Sequence, residues 1–134
     1  MPHQVKELIE IVERLAPPEL AEPWDNVGLL AGSRSAPVSR VMVTLDVTAD
    51  VIRDAASKRA ELIISHHPVP FRPIHAINDS TVEGSLLLML LRAGIALYSA
   101  HTNLDKAKNG TDDTLAELLG LREVRPLRED TDSP

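Results

Sequence analysis

The sequence predicts an α/β fold, a mainly parallel sheet built from βαβ units and flanked by helices. Three observations carry this. Short β-rich runs, Val41–Val47, Leu62–Ile64 and Ile95–Ser99, alternate with stretches of helical periodicity. The stretches between them carry helix start and stop signals. Polar, chemistry-bearing residues follow each run directly: Asp46, then His66-His67, then His101 to Asp105. Right-handed crossovers would lay the three strands side by side, and ligands in such sheets sit beyond the carboxyl ends of the strands.

Val5, Leu8, Ile9, Val12 and Leu15 recur at helical spacing, so residues 4–15 read as an amphipathic helix that Pro17-Pro18 ends. Residues 17–28 lack periodicity. Within them, Trp24-Asp25-Asn26-Val27-Gly28 has turn chemistry, and Trp24 reads as a packing anchor. Leu29–Ala31 is a short apolar piece and Gly32–Pro37 a linker of small residues. Thr48 can cap a helix reaching to about Ala60, with Val51, Ile52, Ala55 and Ala56 on its buried stripe. Ser80-x-x-Glu83 reads as a capping box before an apolar helix, Val82–Arg92, with Gly94 as its stop. Thr111 can cap a last helix to Leu119, with Asp112 and Asp113 at its positive end and Gly120 closing it. Arg122–Leu127 is a further candidate strand. Residues 1–127 are expected to form one domain, and 128–134 a polar, disordered tail.

Composition narrows the function. Among 134 residues the net charge is −6, and no run of lysine or arginine exceeds two, which disfavours a nucleic-acid partner. Trp24, Phe71 and Tyr98 are the only aromatics, too few and too scattered for a base-stacking platform. There is no cysteine, so thiolate metal sites, disulfides and cysteine nucleophiles are excluded. Any metal must take nitrogen and oxygen ligands. Met1-Pro2-His3-Gln4 does not open a signal peptide, and the longest apolar run, Leu86–Leu91, is too short to span a bilayer. The expectation is a cytoplasmic protein with no membrane partner.

Within a strand, His66 and His67 would point to opposite faces, but a turn imposed by Pro68 brings both imidazoles to one rim. There they are placed to hold two metal ions, one each. Such ions lie about 3.5–4 Å apart, and Asp105, on the loop after the adjacent strand, is the natural bridging carboxylate. The alternative is that both histidines cap strand ends and bond locally; spacing does not choose between the two. His101 and Asp105 share a face only if their loop is helical. His101 is then a candidate ligand, supporting donor or proton shuttle, or a histidine satisfied by backbone. Thr102 and Asn103 read as turn-stabilising. His75, in a Pro-rich loop, reads as solvated, and Asp46 as a strand-end turn residue.

The motifs together resemble the Nif-three-like proteins, also called GTP cyclohydrolase I type 2 homologues. Four stretches carry the match, in order: APPELAEPWDNVGLLAG (16–32), VTLDV (43–47), LIISHHPVPFRPIHAI (62–77) and LYSAHTNLDKAKNGTDDTLAELLGL (97–121). The resemblance implies a Nif-three-like α/β fold, a dinuclear metal centre and assembly into toroidal hexamers. It implies that His66 and His67 are the paired ligands, that Asp105 is the bridging aspartate, and that His101 lines the same cleft. The divalent metals, two per complete site, are zinc, manganese, iron or nickel, which the residues do not distinguish.

Members of that family are about twice this long, and their second half adds a His-x-x-x-Glu pair on a helix. No histidine follows His101 here. The expectation is an N-terminal half: a fragment, a truncated product or one piece of a split protein, partnered by copies of itself or by the missing half. Two functions follow. One is a metal-dependent hydrolase acting on a nucleotide or related metabolite, with metal-activated water as nucleophile. The other is a non-catalytic metal-binding or assembly module.

Overall fold

The computed structural model describes residues 2–126. The expected tail, 128–134, and the domain limit at 127 lie outside them. Four strands form the main sheet: β2 (Gly28–Ala31), β4 (Val41–Thr44), β5 (Leu62–Ser65) and β6 (Ala96–Ser99), in the order β2-β6-β5-β4. β4, β5 and β6 are parallel, so the mainly parallel α/β sheet is as expected. The short apolar piece at 29–31 is β2, an edge strand antiparallel to β6. A second ribbon of β1 (His3–Gln4) and β3 (Pro37–Val38) lies inside what reads as helix start and linker.

Period-two alternation sends side chains of the sheet to two different cores. Ile63 and Leu97 pack with Ile52, Ala55, Leu87 and Leu90 of the helices α2 (Ala49–Ser57) and α3 (Val82–Ala93). Leu62, Ala96 and Tyr98 pack on the other face with Val5 and Ile9 of α1 (Val5–Leu15). The Tyr98 hydroxyl is buried, and that burial, with the nearby Glu13 carboxylate, pushes its pKa up to about 12. Parallel sheets normally bury both faces, but α1 covers its face only in part: Val43 on β4 is 77% exposed.

Caps follow local chemistry, with two corrections. Thr48 caps α2 as expected, accepting from the Val51 amide at 3.2 Å. α3 is capped by Thr81, not Ser80, because Thr81 Oγ1 accepts from Gly84 N at 3.1 Å while the Ser80 hydroxyl and amide both donate to Asn78 Oδ1. Gly84 is required there, since a Cβ would stand 2.1 Å from the Asn78 carbonyl oxygen. The last helix, α5 (Thr111–Leu118), starts from Gly110 without a side-chain cap; Thr111 has its hydroxyl turned elsewhere. Residues 122–126 form no strand: Glu123 adopts φ 54° and Pro126 has no N–H to give a ladder. Among the described residues no helix is long and apolar enough to cross a membrane.

Candidate metal centre

The strand ends are locked in register. Ser65 pairs with Ser99 across β5 and β6, and their buried hydroxyls bond at 2.6 Å. The ladder runs on past the strands: His66 N donates to Thr44 O, His67 N to Leu45 O and Ala100 N to Ser65 O. His66, His67 and His101 therefore leave neighbouring strands at one level. Their ring centroids are 5.1, 5.1 and 5.5 Å apart, and one ring nitrogen of each lies within 4.8 Å of the others.

Each imidazole is held at Nδ1. His66 Nδ1 lies 3.0 Å from the Ala100 carbonyl, His67 Nδ1 2.7 Å from Asp46 Oδ1, and His101 Nδ1 2.9 Å from Asp25 Oδ1. An oxygen partner at Nδ1 fixes the tautomer and leaves Nε2 as the ligating atom, the pattern that supports histidine ligands at metal sites. Asp46 is thus more than a turn residue: it orients His67. The donor set and its anchoring fit a divalent first-row metal.

Asp105 joins this group through helicity. Residues Thr102–Lys106 form the short helix α4, with Asp105 N bonded to His101 O at 3.1 Å. The carboxylate reaches to 3.5 Å from His66 Nε2. Its Oδ1 also accepts from the Thr111 hydroxyl at 2.5 Å, which is where that side chain goes instead of capping α5. Gly110 makes the approach of α5 possible: a Cβ would come within 1.9 Å of Leu104 O. Asn103, fully buried, stabilises the turn by accepting from His101 N and donating to Ala16 O. His75 is exposed in its loop, away from the cluster.

Asp25 is the residue that sequence reasoning missed. Its side chain has no exposure. Burial alone would raise its pKa, but hydrogen bonds from the Thr102 hydroxyl, His101, and the Thr102 and Asn26 amides outweigh this and hold it below the usual carboxylate range. The available signal was Asp-Asn after Trp24, which equally describes an ordinary turn. Trp24 is not a packing anchor either. It is 60% exposed and rests its ring against Phe71 and His101.

Residues 3–133 match the family described as Duf34/NIF3 (NGG1p interacting factor 3). The chain belongs to this family. A GTP cyclohydrolase 1 type 2 homolog of Clostridium perfringens is 42% identical over 118 residues, covering 88% of this chain and 45% of that protein. NIF3-like protein 1 of Drosophila melanogaster is 40% identical over 128 residues, covering 95% and 44%. Among solved structures, reduced HcgD from Methanocaldococcus jannaschii superposes with a TM-score of 0.87 at 37% identity, covering 96% of this chain and 52% of that one. A Bacillus cereus protein related to NIF3 gives 0.86 at 39%, covering 92% and 34%. The chain spans less than half the length of the curated relatives described.

Proposed function

We propose that this NIF3-family chain carries one part of a dinuclear metal centre, and that the complete protein is a cytoplasmic metal-dependent hydrolase acting on a nucleotide or related metabolite. The observation that carries the reading is the anchoring of three adjacent imidazoles at Nδ1, with one ring nitrogen of each within 4.8 Å of the others and the Asp105 carboxylate 3.5 Å from His66 Nε2. His66 and His67 would each hold one ion, with Asp105 as a carboxylate ligand available to both. When bound, the metals polarise water and substrate oxygens. His101 would move the proton, with buried Asp25 at its Nδ1 fixing the tautomer. The name GTP cyclohydrolase 1 type 2 homolog, borne by several relatives, favours a nucleotide.

Two histidines and one carboxylate are few for two ions that each take four to six ligands. The remaining ligands come from the second half or from a neighbouring copy. Protein purified without chelator should therefore hold fewer than two metals per chain by elemental analysis. Two tightly held ions per chain would overturn the part-site reading. Failure to retain any zinc from excess would overturn the metal reading itself.

A second reading, a non-catalytic assembly module, is favoured by α5, where Leu115, Leu118 and Leu119 face outward. Family-like rings of copies, or docking of the second half, would cover them.

A further inference from the structure

We propose that the Trp24–Phe71 pair is a seat for the planar heteroaromatic ring of a small-molecule ligand, with the ligand's polar substituent directed to the three imidazoles. The direction of the substituent rests on the metal-centre reading; the ring seat does not.

The chain has three aromatic residues. Tyr98 is spent in the core, fully buried. The other two, 47 positions apart, are brought together at the surface, with ring centroids 5.9 Å apart and planes tilted by 49°. Trp24 and Phe71 are 60% and 43% exposed. Both stand edge-on to His101, at 6.4 and 6.2 Å. A surface that leaves its largest apolar rings in water, in contact with each other and beside a histidine cluster, forgoes burial that aromatic side chains usually supply.

The rings are also held there. Asn26 Nδ2 donates to Pro70 O at 2.6 Å, tying the loop that carries Trp24 to the residue before Phe71. Asp25 fastens the same loop to His101 and Thr102. Three consecutive residues thus divide the work: Trp24 offers a ring, Asp25 anchors it to the cluster, and Asn26 brings in the second ring. At 5.9 Å the two rings touch, so a ligand ring stacks on the outward faces of this corner and does not slip between them. Flat heterocycles suit it, because stacking needs only a π-face. A nucleic-acid strand does not, since one corner on a chain of net charge −6 offers neither a row of stacking rings nor a basic track.

Trp24 is the only tryptophan, so its emission reports on the seat directly. The full chain is titrated with guanosine monophosphate, adenosine monophosphate and, as a ringless control, ribose phosphate, each with chelator and with zinc, while zinc binding is measured separately by equilibrium dialysis. Saturable quenching by the nucleotides and none by ribose phosphate is expected. Phe71→Ala should weaken it about ten-fold, Phe71→Leu, which keeps apolar bulk without a π-face, should weaken it similarly, and His75→Ala should leave it unchanged. Bound zinc without nucleotide quenching overturns the ring seat alone. Quenching without zinc binding overturns the metal centre and leaves the seat standing. Equal quenching by ribose phosphate means anion binding only and overturns the proposal. So does an emission that shifts to the blue with protein concentration and ignores nucleotides, which would mean that another copy covers the pair.

Discussion

Asp25 and His101 stand 76 positions apart in the chain and meet through a 2.9 Å hydrogen bond between carboxylate Oδ1 and imidazole Nδ1. The same carboxylate takes the Thr102 amide at 3.0 Å, so one buried side chain fixes both a ring and the start of α4. Replacing it with alanine leaves those donors without their acceptor. Asp25→Ala should cost about 2–3 kcal/mol of stability, read as a lowered Tm. Asp25→Asn, which retains an accepting oxygen but no charge, should cost less stability yet still lower zinc affinity about ten-fold or more by calorimetric titration, because it loosens the start of the helix that carries Asp105. Unchanged affinity in both would show that this helix needs no such anchor.

Asp105→Asn should harm metal binding far more than His75→Ala. A carboxylate shared between two ions supplies charge that an amide does not, whereas exposed His75 touches none of the cluster. A loss of about ten-fold or more is expected for the first and none for the second in titrations with zinc or manganese. Equal affinities would make the α4 loop purely structural.

Glu61 holds the strand-start turn by accepting from the Ser39 and Arg40 amides at 3.0 and 2.8 Å. Those backbone bonds, Arg40 first, lower its pKa from the ordinary value of 4.5. A carboxyl with a depressed folded pKa stabilises fully above its unfolded pKa, and that contribution is lost as pH falls through the folded value. Denaturant melts of wild type and Glu61→Gln should therefore differ above about pH 5 and converge in more acidic solution. A difference that persists undiminished at low pH would contradict this account.

The isolated chain should self-associate. Val43 on β4 is exposed and Leu118 on α5 is 80% exposed, and with Leu115 and Leu119 they leave four large apolar side chains in water. Light scattering across a concentration series should show mass rising with concentration, and Val43→Lys combined with Leu118→Glu should suppress the rise. A monodisperse particle of 14.6 kDa at high concentration, with no dye bound to apolar surface, would mean that these faces need no cover.

What could be read in advance followed from short-range rules. Thr48 as a cap, Gly94 as a stop and the histidines past Leu62–Ile64 and Ile95–Ser99 each depend on neighbours a few residues away. His101 and Asp105 share a face because their loop is helical, the condition their spacing of four required. What escaped depends on contacts across the chain. Asp25 in a turn looks like any turn aspartate until Thr102 and His101 arrive. Trp24 looks like core until Phe71 meets it at the surface. Asp46 looked terminal because His67 turns back to it only once Pro68 redirects the chain. β1 and β3, two residues each, are too short for any periodicity to show.

The Ser65–Ser99 hydroxyl pair beneath the histidines has a consequence for how this chain can vary in length. The spacing of His66 and His101 is inherited from strand register, with no contribution from the thirty-odd residues that run between them. At the far edge of the sheet, the exposed turns at Lys58–Arg59 and Ala93–Gly94 can lengthen without displacing either ring. One residue added inside β5 or β6 would instead reverse every side chain beyond it. Tolerance to insertion is therefore split between two rims of one small sheet, one free to drift and the other held to the residue.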